Sequence, residues 1–171
     1  MIELIVGGAR SGKSGYALSR AESGNANLTF IATAEAKDDE MMSRIERHRQ
    51  ERGPRWNLIE ETHYISSLID QFVKDDIILV DCLSLWLSNW LCSPGTASWD
   101  EEKSSCLEKL QQSPASWLLV SNEAGMGVTP MGELGRQFID ESGWLHQQLA
   151  QLADRVTLVM FGIPQTLKPR Q

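Results

Sequence analysis

Glu3-Leu4-Ile5-Val6-Gly7-Gly8-Ala9-Arg10-Ser11-Gly12-Lys13-Ser14 is a short apolar run followed by the pattern Gly-x-x-x-x-Gly-Lys-Ser. This is the pattern of a phosphate-binding P-loop, in which backbone N–H groups and the positive end of the following helix face a phosphate. We expect Gly7 and Gly12 to permit backbone angles and close approaches that a side chain would block. Lys13 would act as a catalytic charge on the outer phosphates, and Ser14 would offer a hydroxyl to Mg²⁺.

The residues on either side of this motif match the context that a P-loop requires. Residues 3–6 can form a buried strand, and residues 15–22 can follow the loop as a helix. The alternative is a glycine-rich turn with a solvated Lys13, which would not need this strand–loop–helix arrangement. The sequence therefore predicts a nucleotide-binding protein.

The composition limits the class of protein. The chain has 171 residues, of which 42% are hydrophobic and 23% charged, as in an ordinary soluble domain. It contains no apolar run near the roughly 20 residues that span a bilayer, and it enters the predicted P-loop strand at once, so we expect neither membrane insertion nor a signal peptide. The three cysteines lack Cys-x-x-Cys spacing, which argues against a disulfide framework or a zinc site. We expect a cytoplasmic protein.

The charge distribution favours a local anion site over a nucleic-acid surface. The formal net charge is −7, which argues against broad nucleic-acid binding. Positive charge is instead concentrated in one short segment, which contains Arg44, Arg47, Arg49, Arg52 and Arg55. An acidic protein that handles an anionic nucleotide is expected to concentrate its arginines in this way.

Strand-like and helix-like segments alternate along the chain. Strands are predicted at residues 3–6, 28–32, 56–60, 77–81, 117–121 and 156–161, and helices at residues 15–22, 38–52, 64–73, 83–90, 100–112 and 131–153, the last interrupted near residues 142–143. From residue 162 the chain is expected to leave the sheet and fray. This alternation predicts an α/β fold of P-loop NTPase type, with a mostly parallel sheet flanked by helices, in a single catalytic domain of residues 1–171.

Several predicted strands end in residues suited to a ligand site. Residues 32–34, Ala-Thr-Ala, would lie at the carboxyl edge of a parallel sheet, where ligands bind in open α/β folds. Residues 77–81 are four apolar residues and an acid, the Walker B pattern, which makes Asp81 a candidate Mg²⁺ ligand. Alternatively, Asp81 caps the next helix. Residues 122–127, Asn-Glu-Ala-Gly-Met-Gly, are either a loop over the site or an ordinary turn.

His48 lies within the arginine-rich segment and shares one face of the predicted helix with Arg52. A neutral imidazole can attack phosphorus and form a covalent intermediate, and nearby arginines would keep it neutral and bind the phosphates. The other interpretation is a solvated histidine that only contacts phosphate, which is the commoner role on residue type alone. His63 and His146 lack such surroundings, and we interpret both as structural or surface residues.

Taken together, these stretches resemble the bifunctional adenosylcobinamide kinase / adenosylcobinamide-phosphate guanylyltransferase family of cobalamin biosynthesis. The resemblance is carried by residues 7–14, 30–34, 38–48, Trp56 with Glu60, 78–83 and 121–127. These stretches cover nearly the whole chain in the same order. The P-loop is generic, whereas the helix with His48 and the Asn-Glu-x-Gly-Met-Gly loop are specific to this family.

The resemblance implies two successive reactions. In the first, the kinase transfers the γ-phosphate of ATP or GTP to the aminopropanol hydroxyl of adenosylcobinamide. In the second, a histidine attacks the α-phosphate of GTP and releases pyrophosphate, and the guanylyl-histidine passes GMP to the phosphorylated cobinamide to give adenosylcobinamide-GDP. The resemblance also implies Mg²⁺ as cofactor and a homotrimer.

The resemblance also assigns residues. By position in the family's motifs, His48 is the guanylylated residue. The implied nucleotide site comprises Gly7, Gly8, Ala9, Arg10, Ser11, Gly12, Lys13, Ser14, Ala32, Thr33, Ala34, Arg49, Gln50, Glu51, Arg52, Glu60 and Asp81, with Ser14 and Asp81 as metal ligands. The residues alone leave two other functions open. One is a P-loop kinase for another small molecule, without a covalent nucleotide. The other is a non-catalytic regulatory module, which would expose an apolar patch.

Overall fold

The computed structural model describes residues 1–35, 53–93 and 98–169. The strands in these ranges are β1 (Ile2–Gly7), β2 (Asn27–Ala32), β3 (Trp56–Glu60), β4 (Asp76–Asp81), β5 (Ser116–Asn122), β6 (Arg155–Met160) and β7 (Ile163–Lys168). The helices are α1 (Lys13–Ala21), α2 (Ser66–Ile69), α3 (Leu83–Cys92), α4 (Trp99–Gln112) and α5 (Glu133–Leu152). The helix predicted at residues 38–52 lies outside the described residues.

The strands form one seven-stranded sheet in the order β3-β2-β4-β5-β1-β6-β7. Strands β1 to β6 pair in parallel, and β7 pairs antiparallel with β6. The predicted α/β fold with a mostly parallel sheet is therefore confirmed. Within the described ranges, no helix combines the length and the apolar character needed to cross a membrane.

The sheet is covered on both faces because its central strands are apolar on both sides. In β1, Leu4 and Val6 pack into a cluster with side chains of α3, α4 and α5. Ile5, which points the other way, packs against α1 together with Ala17. Alternate side chains of β1 thus pack into two hydrophobic clusters, one on each face of the sheet, so β1 lies in the middle of the fold.

A buried carboxylate, that of Glu3, fastens β1 to its neighbours. The side chain is fully buried. Its Oε1 accepts hydrogen bonds from Tyr16 OH at 3.0 Å and Thr157 Oγ1 at 2.8 Å, and its Oε2 accepts one from Arg20 Nε at 3.2 Å. Because a buried carboxylate is costly unless it is paired and hydrogen-bonded, these contacts hold α1 and β6 to the strand that leads into the P-loop.

The C-terminal segment differs from its prediction. Residues 163–168 were expected to leave the sheet, but they form β7 along the edge of β6. Phe161 and Gly162, with φ of 55° and 77°, reverse the chain between the two strands. Lys168 Nζ then donates to the carbonyls of Ala150, Gln151 and Ala153 at the end of α5, which ties the strand down. The prediction of a frayed end at residues 163–168 was wrong.

Two helices also differ from their predictions. The helix predicted at residues 64–73 shortens to α2, where Glu102 accepts hydrogen bonds from the backbone N and the hydroxyl of Ser66. The helix predicted to break near residues 142–143 continues through them as α5. Ser142 is buried on the packed face of α5, and the packing of that face outweighs the low helix propensity of Ser and Gly.

We predict that Glu3→Gln destabilises the fold. The amide would place an NH₂ group against donors that need an acceptor, and it would remove the negative charge that Arg20 contacts. Because Arg20 is about one-third exposed and can turn toward water, we expect a loss of about 2–3 kcal/mol in the free energy of unfolding. Urea titration measures this value. Glu108→Gln, an exposed change of the same charge, is the control, and an equal loss in both variants would contradict the prediction.

Candidate nucleotide-binding site

The predicted P-loop joins the central strand to the first helix. Strand β1 ends at Gly7 and α1 begins at Lys13, so the predicted order of strand, loop and helix is present and the helix begins two residues earlier than predicted. Gly12 caps the helix with a φ of 95°, and Arg10 is also left-handed, with a φ of 56°. Ser11 N donates to Gly8 O at 3.2 Å, which closes the turn. The first turn of α1 contains no acidic residue, so the positive end of the helix remains available to an anion.

Close packing explains two of the glycines. A Cβ on Gly7 would lie 2.4 Å from the carbonyl oxygen of Val159 and 2.5 Å from Ser11 Oγ. A Cβ on Gly12 would lie 3.1 Å from Gly162 Cα, in addition to the strain of a positive φ. By contrast, a Cβ on Gly8 would meet nothing within 4 Å. The loop is therefore tight against β6 on one side and open on the other.

The polar side chains of the loop suit a phosphate. Lys13 is largely buried, and its Nζ donates to Gly8 O at 3.1 Å, which folds the ammonium group over the loop. Ser14 is partly exposed in the first turn of α1. Ser11 Oγ is buried and has no hydrogen-bond partner among the described residues. An unpaired buried hydroxyl is costly, and a bound phosphate would supply polar atoms at this position.

Asp81 ends a strand that is not adjacent to β1. Strand β5 lies between β1 and β4, so Asp81 is two strand positions from the P-loop. The charges of Asp81 and Lys13 both act on the thiol of Cys82, the residue that follows Asp81. Burial, and secondarily the negative charge of Asp81, raises the pKa of Cys82 to about 11, while Lys13 opposes this change. Cys82 is therefore a neutral thiol at physiological pH and is not a nucleophile.

Residues 32–34 lie at the carboxyl edge, but Thr33 turns inward. Its side chain is fully buried, donates from Oγ1 to Cys82 O at 2.8 Å and accepts from Cys82 N at 2.9 Å. Asn89 Nδ2 donates to Thr33 O at 2.8 Å. Thr33 therefore joins the ends of β2 and β4, while Ala32 and Ala34 remain partly exposed beside it. Small side chains here leave the edge open.

The other predicted site residues extend away from the P-loop. Glu60 is exposed at the end of β3, which is four strand positions from β1. At the usual spacing between strands this is about 19 Å. The remaining predicted residues, His48, Arg49, Gln50, Glu51 and Arg52, lie outside the described residues. Those that the structure describes are thus spread along one edge of the sheet.

A cluster that sequence reasoning missed lies beside the P-loop. His146 of α5 was interpreted as structural or surface, but its side chain is only 13% exposed, and its Nδ1 lies 3.7 Å from Glu123 Oε2. Its Nε2 lies 2.7 Å from Ser121 Oγ. Burial lowers the pKa of His146, and the Glu123 carboxylate opposes this effect. His146 follows Ser142 by four residues, and this spacing places both side chains on the inner face of α5. The spacing is the feature of the sequence that could have indicated that His146 is buried.

We predict that Gly7→Ala weakens nucleotide binding while Gly15→Ala does not. The new Cβ at position 7 would force the P-loop away from Val159 O, whereas a Cβ at Gly15, inside α1, meets nothing within 4 Å. We expect Gly7→Ala to weaken nucleotide affinity by about a hundredfold and Gly15→Ala to raise helix stability by about 1 kcal/mol. Titration with a fluorescent nucleotide analogue tests this, and equal affinities of the two variants would contradict it.

Comparisons with known proteins show which family the chain belongs to. Residues 3–167 match the family described as cobinamide kinase / cobinamide phosphate guanyltransferase. The chain is 43% identical to the bifunctional adenosylcobalamin biosynthesis protein CobP of Pseudomonas aeruginosa over 98% of both chains. It is 36% identical to the bifunctional adenosylcobalamin biosynthesis protein CobU of Escherichia coli over 98% of this chain and 100% of the relative.

A solved structure supports the fold alone. An ATPase from the type III secretion system of pathogenic bacteria superposes with a TM-score of 0.58 at 10% identity, over 96% of this chain and 56% of that one. Its P-loop ATPase fold agrees with the sheet and loop described above. With the match to the family over nearly the whole sequence, the chain belongs to the cobinamide kinase / cobinamide phosphate guanyltransferase family.

Proposed function

We propose that this protein catalyses two successive reactions on adenosylcobinamide. It phosphorylates the aminopropanol hydroxyl with ATP or GTP, and it then transfers GMP from GTP to the product to give adenosylcobinamide-GDP. The observation that carries the proposal is a P-loop with its sterically required glycine, Gly7, in a chain that matches the family over residues 3–167. Both relatives described above are named bifunctional adenosylcobalamin biosynthesis proteins. The proposal includes a cytoplasmic location, where both nucleotides are available.

The P-loop would serve the phosphoryl transfer by position and charge. Backbone N–H groups of residues 8–13 would bind the phosphates, and Lys13 would stabilise the charge that develops on the γ-phosphate. Ser14 and Asp81 carry oxygen donors, which suit Mg²⁺, and this ion typically takes one or two protein ligands together with phosphate oxygens. When bound, Mg²⁺ would neutralise phosphate charge. A site of this kind does not require a cluster of three protein ligands, and the described residues contain none.

The second reaction would use His48 as nucleophile. Its imidazole nitrogen would form a bond to the α-phosphorus of GTP while the bond to pyrophosphate breaks, and the phosphorylated cobinamide would then displace the histidine. Arg49 and Arg52 would bind phosphate oxygens beside it, with Gln50 and Glu51 completing that segment. Ala32, Thr33, Ala34 and Glu60 would border the rest of the nucleotide. The open edge between β1 and β3 supports a nucleotide that lies across strand ends.

The intact mass of the protein tests the covalent step. After incubation with Mg²⁺ and GTP, we expect a GMP-sized increase that is acid-labile, alkali-stable and absent from His48→Ala. His63→Gln is the matched control, because His63 contacts Ser93 O and Thr62 Oγ1 away from the P-loop, and it should keep the adduct. A wild-type protein that binds GTP but forms no adduct would contradict the guanylyltransferase assignment. The remaining interpretation would then be a P-loop kinase for a small molecule.

We also propose that the protein is a homo-oligomer, with the resemblance favouring a trimer. The turn and edge strand at β7 expose Phe161 by 89%, Ile163 by 67% and Leu167 by 59%. Ile163 and Leu167 both belong to β7, which is the edge strand of the sheet. Exposed apolar side chains on an edge strand are typical of a surface that a partner covers. A regulatory module would also expose such a patch, so this surface supports association and not catalysis.

Sedimentation velocity tests the association. We expect the wild type to sediment as an oligomer, and the double substitution Phe161→Ser with Ile163→Ser to shift it toward monomer by at least about tenfold in dissociation constant. Val73→Ser is the control, because Val73 is 60% exposed after α2 and outside the β7 surface. A monomeric wild type, or equal dissociation by both changes, would contradict the proposal.

A further inference from the structure

We infer that Glu123 accepts the proton of the substrate hydroxyl during phosphoryl transfer, and that His146 orients its carboxylate. The inference rests on the proposed kinase reaction and adds two residues to it. Glu123 would be a catalytic residue, since it would touch the hydroxyl, and His146 would be a positioning residue that acts through Glu123. Phosphoryl transfer requires a group that orients the attacking oxygen and takes its proton.

The sheet brings Glu123 to the first residue of the P-loop. Strand β5 is adjacent and parallel to β1, with Asn122 in register with Gly7. Glu123 follows directly, and its backbone N donates to Gly7 O at 3.0 Å. By comparison, Asp81 and Glu60 end strands that are two and four positions from β1. The backbone of Glu123 therefore lies against the first residue of the phosphate loop, at the edge of the sheet where the attacked γ-phosphate would lie.

The loop is built around this carboxylate. Oε1 accepts a hydrogen bond from Gly125 N at 2.6 Å, and a Cβ on Gly125 would lie 3.1 Å from the same oxygen. Oε2 faces the imidazole of His146 at 3.7 Å. The Glu123 side chain is 23% exposed, so it is partly accessible to solvent. A carboxylate that only closed a turn would not need a buried imidazole behind its second oxygen.

A chain of hydrogen bonds connects the imidazole of His146 to the end of β5. Ser84 Oγ accepts from Asn122 N at 2.7 Å and shares a hydrogen bond of 3.1 Å with Ser121 Oγ, in which either hydroxyl can donate. We assign the Ser121 hydroxyl as the donor to His146 Nε2 at 2.7 Å. This assignment leaves the imidazole hydrogen on Nδ1, facing Glu123. Ser84 and Ser121 are both buried, so the chain holds the imidazole in one orientation.

Phosphoryl transfer would proceed as a direct displacement at the γ-phosphorus. The hydroxyl oxygen forms a bond to the γ-phosphorus, and the bond from that phosphorus to the bridging oxygen breaks, so the nucleoside diphosphate leaves with the electron pair. The hydroxyl proton passes to the Glu123 carboxylate, which returns it to water through its exposed side. The guanylylation step needs no such acceptor, because its nucleophile is a neutral imidazole. Loss of Glu123 should therefore affect the two reactions differently.

The test compares both half-reactions in the same variants of the full-length protein. For Glu123→Gln, we expect kcat for the phosphorylation of cobinamide by ATP to fall about a hundredfold, with the KM for ATP changed less than about twofold. The guanylyl adduct formed from GTP should remain at the wild-type level. Asp140→Asn, an exposed change of the same charge on α5, is the matched control and should leave both reactions unchanged.

The role of His146 is tested by two isosteric changes. Asn places its amide near the position of Nδ1 and keeps a donor toward Glu123, whereas Gln places it near Nε2 and keeps only a partner for Ser121. We expect the phosphorylation kcat to fall about threefold in His146→Asn and about thirtyfold in His146→Gln. Thermal unfolding of each variant confirms that it is folded.

Each outcome decides between the alternatives. Glu123→Gln that phosphorylates within about threefold of wild type would overturn the proton-acceptor role. Parallel loss of phosphorylation and adduct formation would also overturn it, since the loop would then be structural. Equal losses in the two His146 variants would overturn the orienting role. A wild-type protein that forms the adduct but does not phosphorylate cobinamide would overturn the proposed kinase reaction itself, and this inference with it.

Discussion

The packing of the P-loop between two neighbouring turns is the constraint on which the site depends. On one side Glu123 N donates to Gly7 O, and on the other Gly162 N donates to Ser11 O at 2.8 Å. The carbonyl of Val159 approaches so closely that only glycine fits at position 7. The loop is therefore held by backbone contacts to the residues that follow β5 and β6. A loop held in this way loses little conformational entropy on binding, which is the physical meaning of preorganisation.

Because the P-loop is held by these contacts, its position depends on the position of β1. If β1 moved, the hydrogen bonds between the P-loop and the two turns would be disrupted. The buried carboxylate of Glu3 prevents this, because it joins β1 to α1 through Tyr16 and Arg20 and to β6 through Thr157. A charged residue in the middle of a core strand costs desolvation energy. Here that cost is offset by donors from the elements on each side of the P-loop.

The parts of this arrangement that could be predicted are those that local sequence determines. Three apolar residues, Leu4 to Val6, before Gly-x-x-x-x-Gly-Lys-Ser predict a strand, a loop and a helix, and the structure has all three. The role of Glu3 could not be predicted, because its partner Thr157 lies 154 residues away. The strand β7 was missed for the same reason, since its anchor is Lys168 against the end of α5. His48 was selected by its arginine neighbours, and its assignment remains a prediction because it lies outside the described residues.

His146 shows a second limit of the sequence. A histidine on a helix face gives no indication of which strand end it will meet, and Glu123 is 23 positions earlier in the chain. Only the pairing of β5 with β1 brings their cluster to the P-loop. From the sequence, the loop after β5 is either a loop over the site or an ordinary turn, and local sequence does not distinguish the two. Gly125 N closes a turn on the Glu123 carboxylate, and on the inference above the same carboxylate would serve the site.

On the proposed mechanism, one P-loop serves two reactions that break different bonds of a nucleotide. In the first the γ-phosphorus is attacked, and in the second the α-phosphorus is attacked while the β- and γ-phosphates leave together. A rigid loop that holds the β- and γ-phosphates alike in both cases cannot choose between these bonds. The choice must come from where each nucleophile is placed along the sheet edge. A proton acceptor beside the P-loop directs a hydroxyl to the γ-phosphorus, whereas a histidine supplied from the segment after β2 would reach the α-phosphorus. The separation of the strand ends, with β5 and β4 between β1 and β2, is thus the feature that allows one nucleotide site to support both reactions.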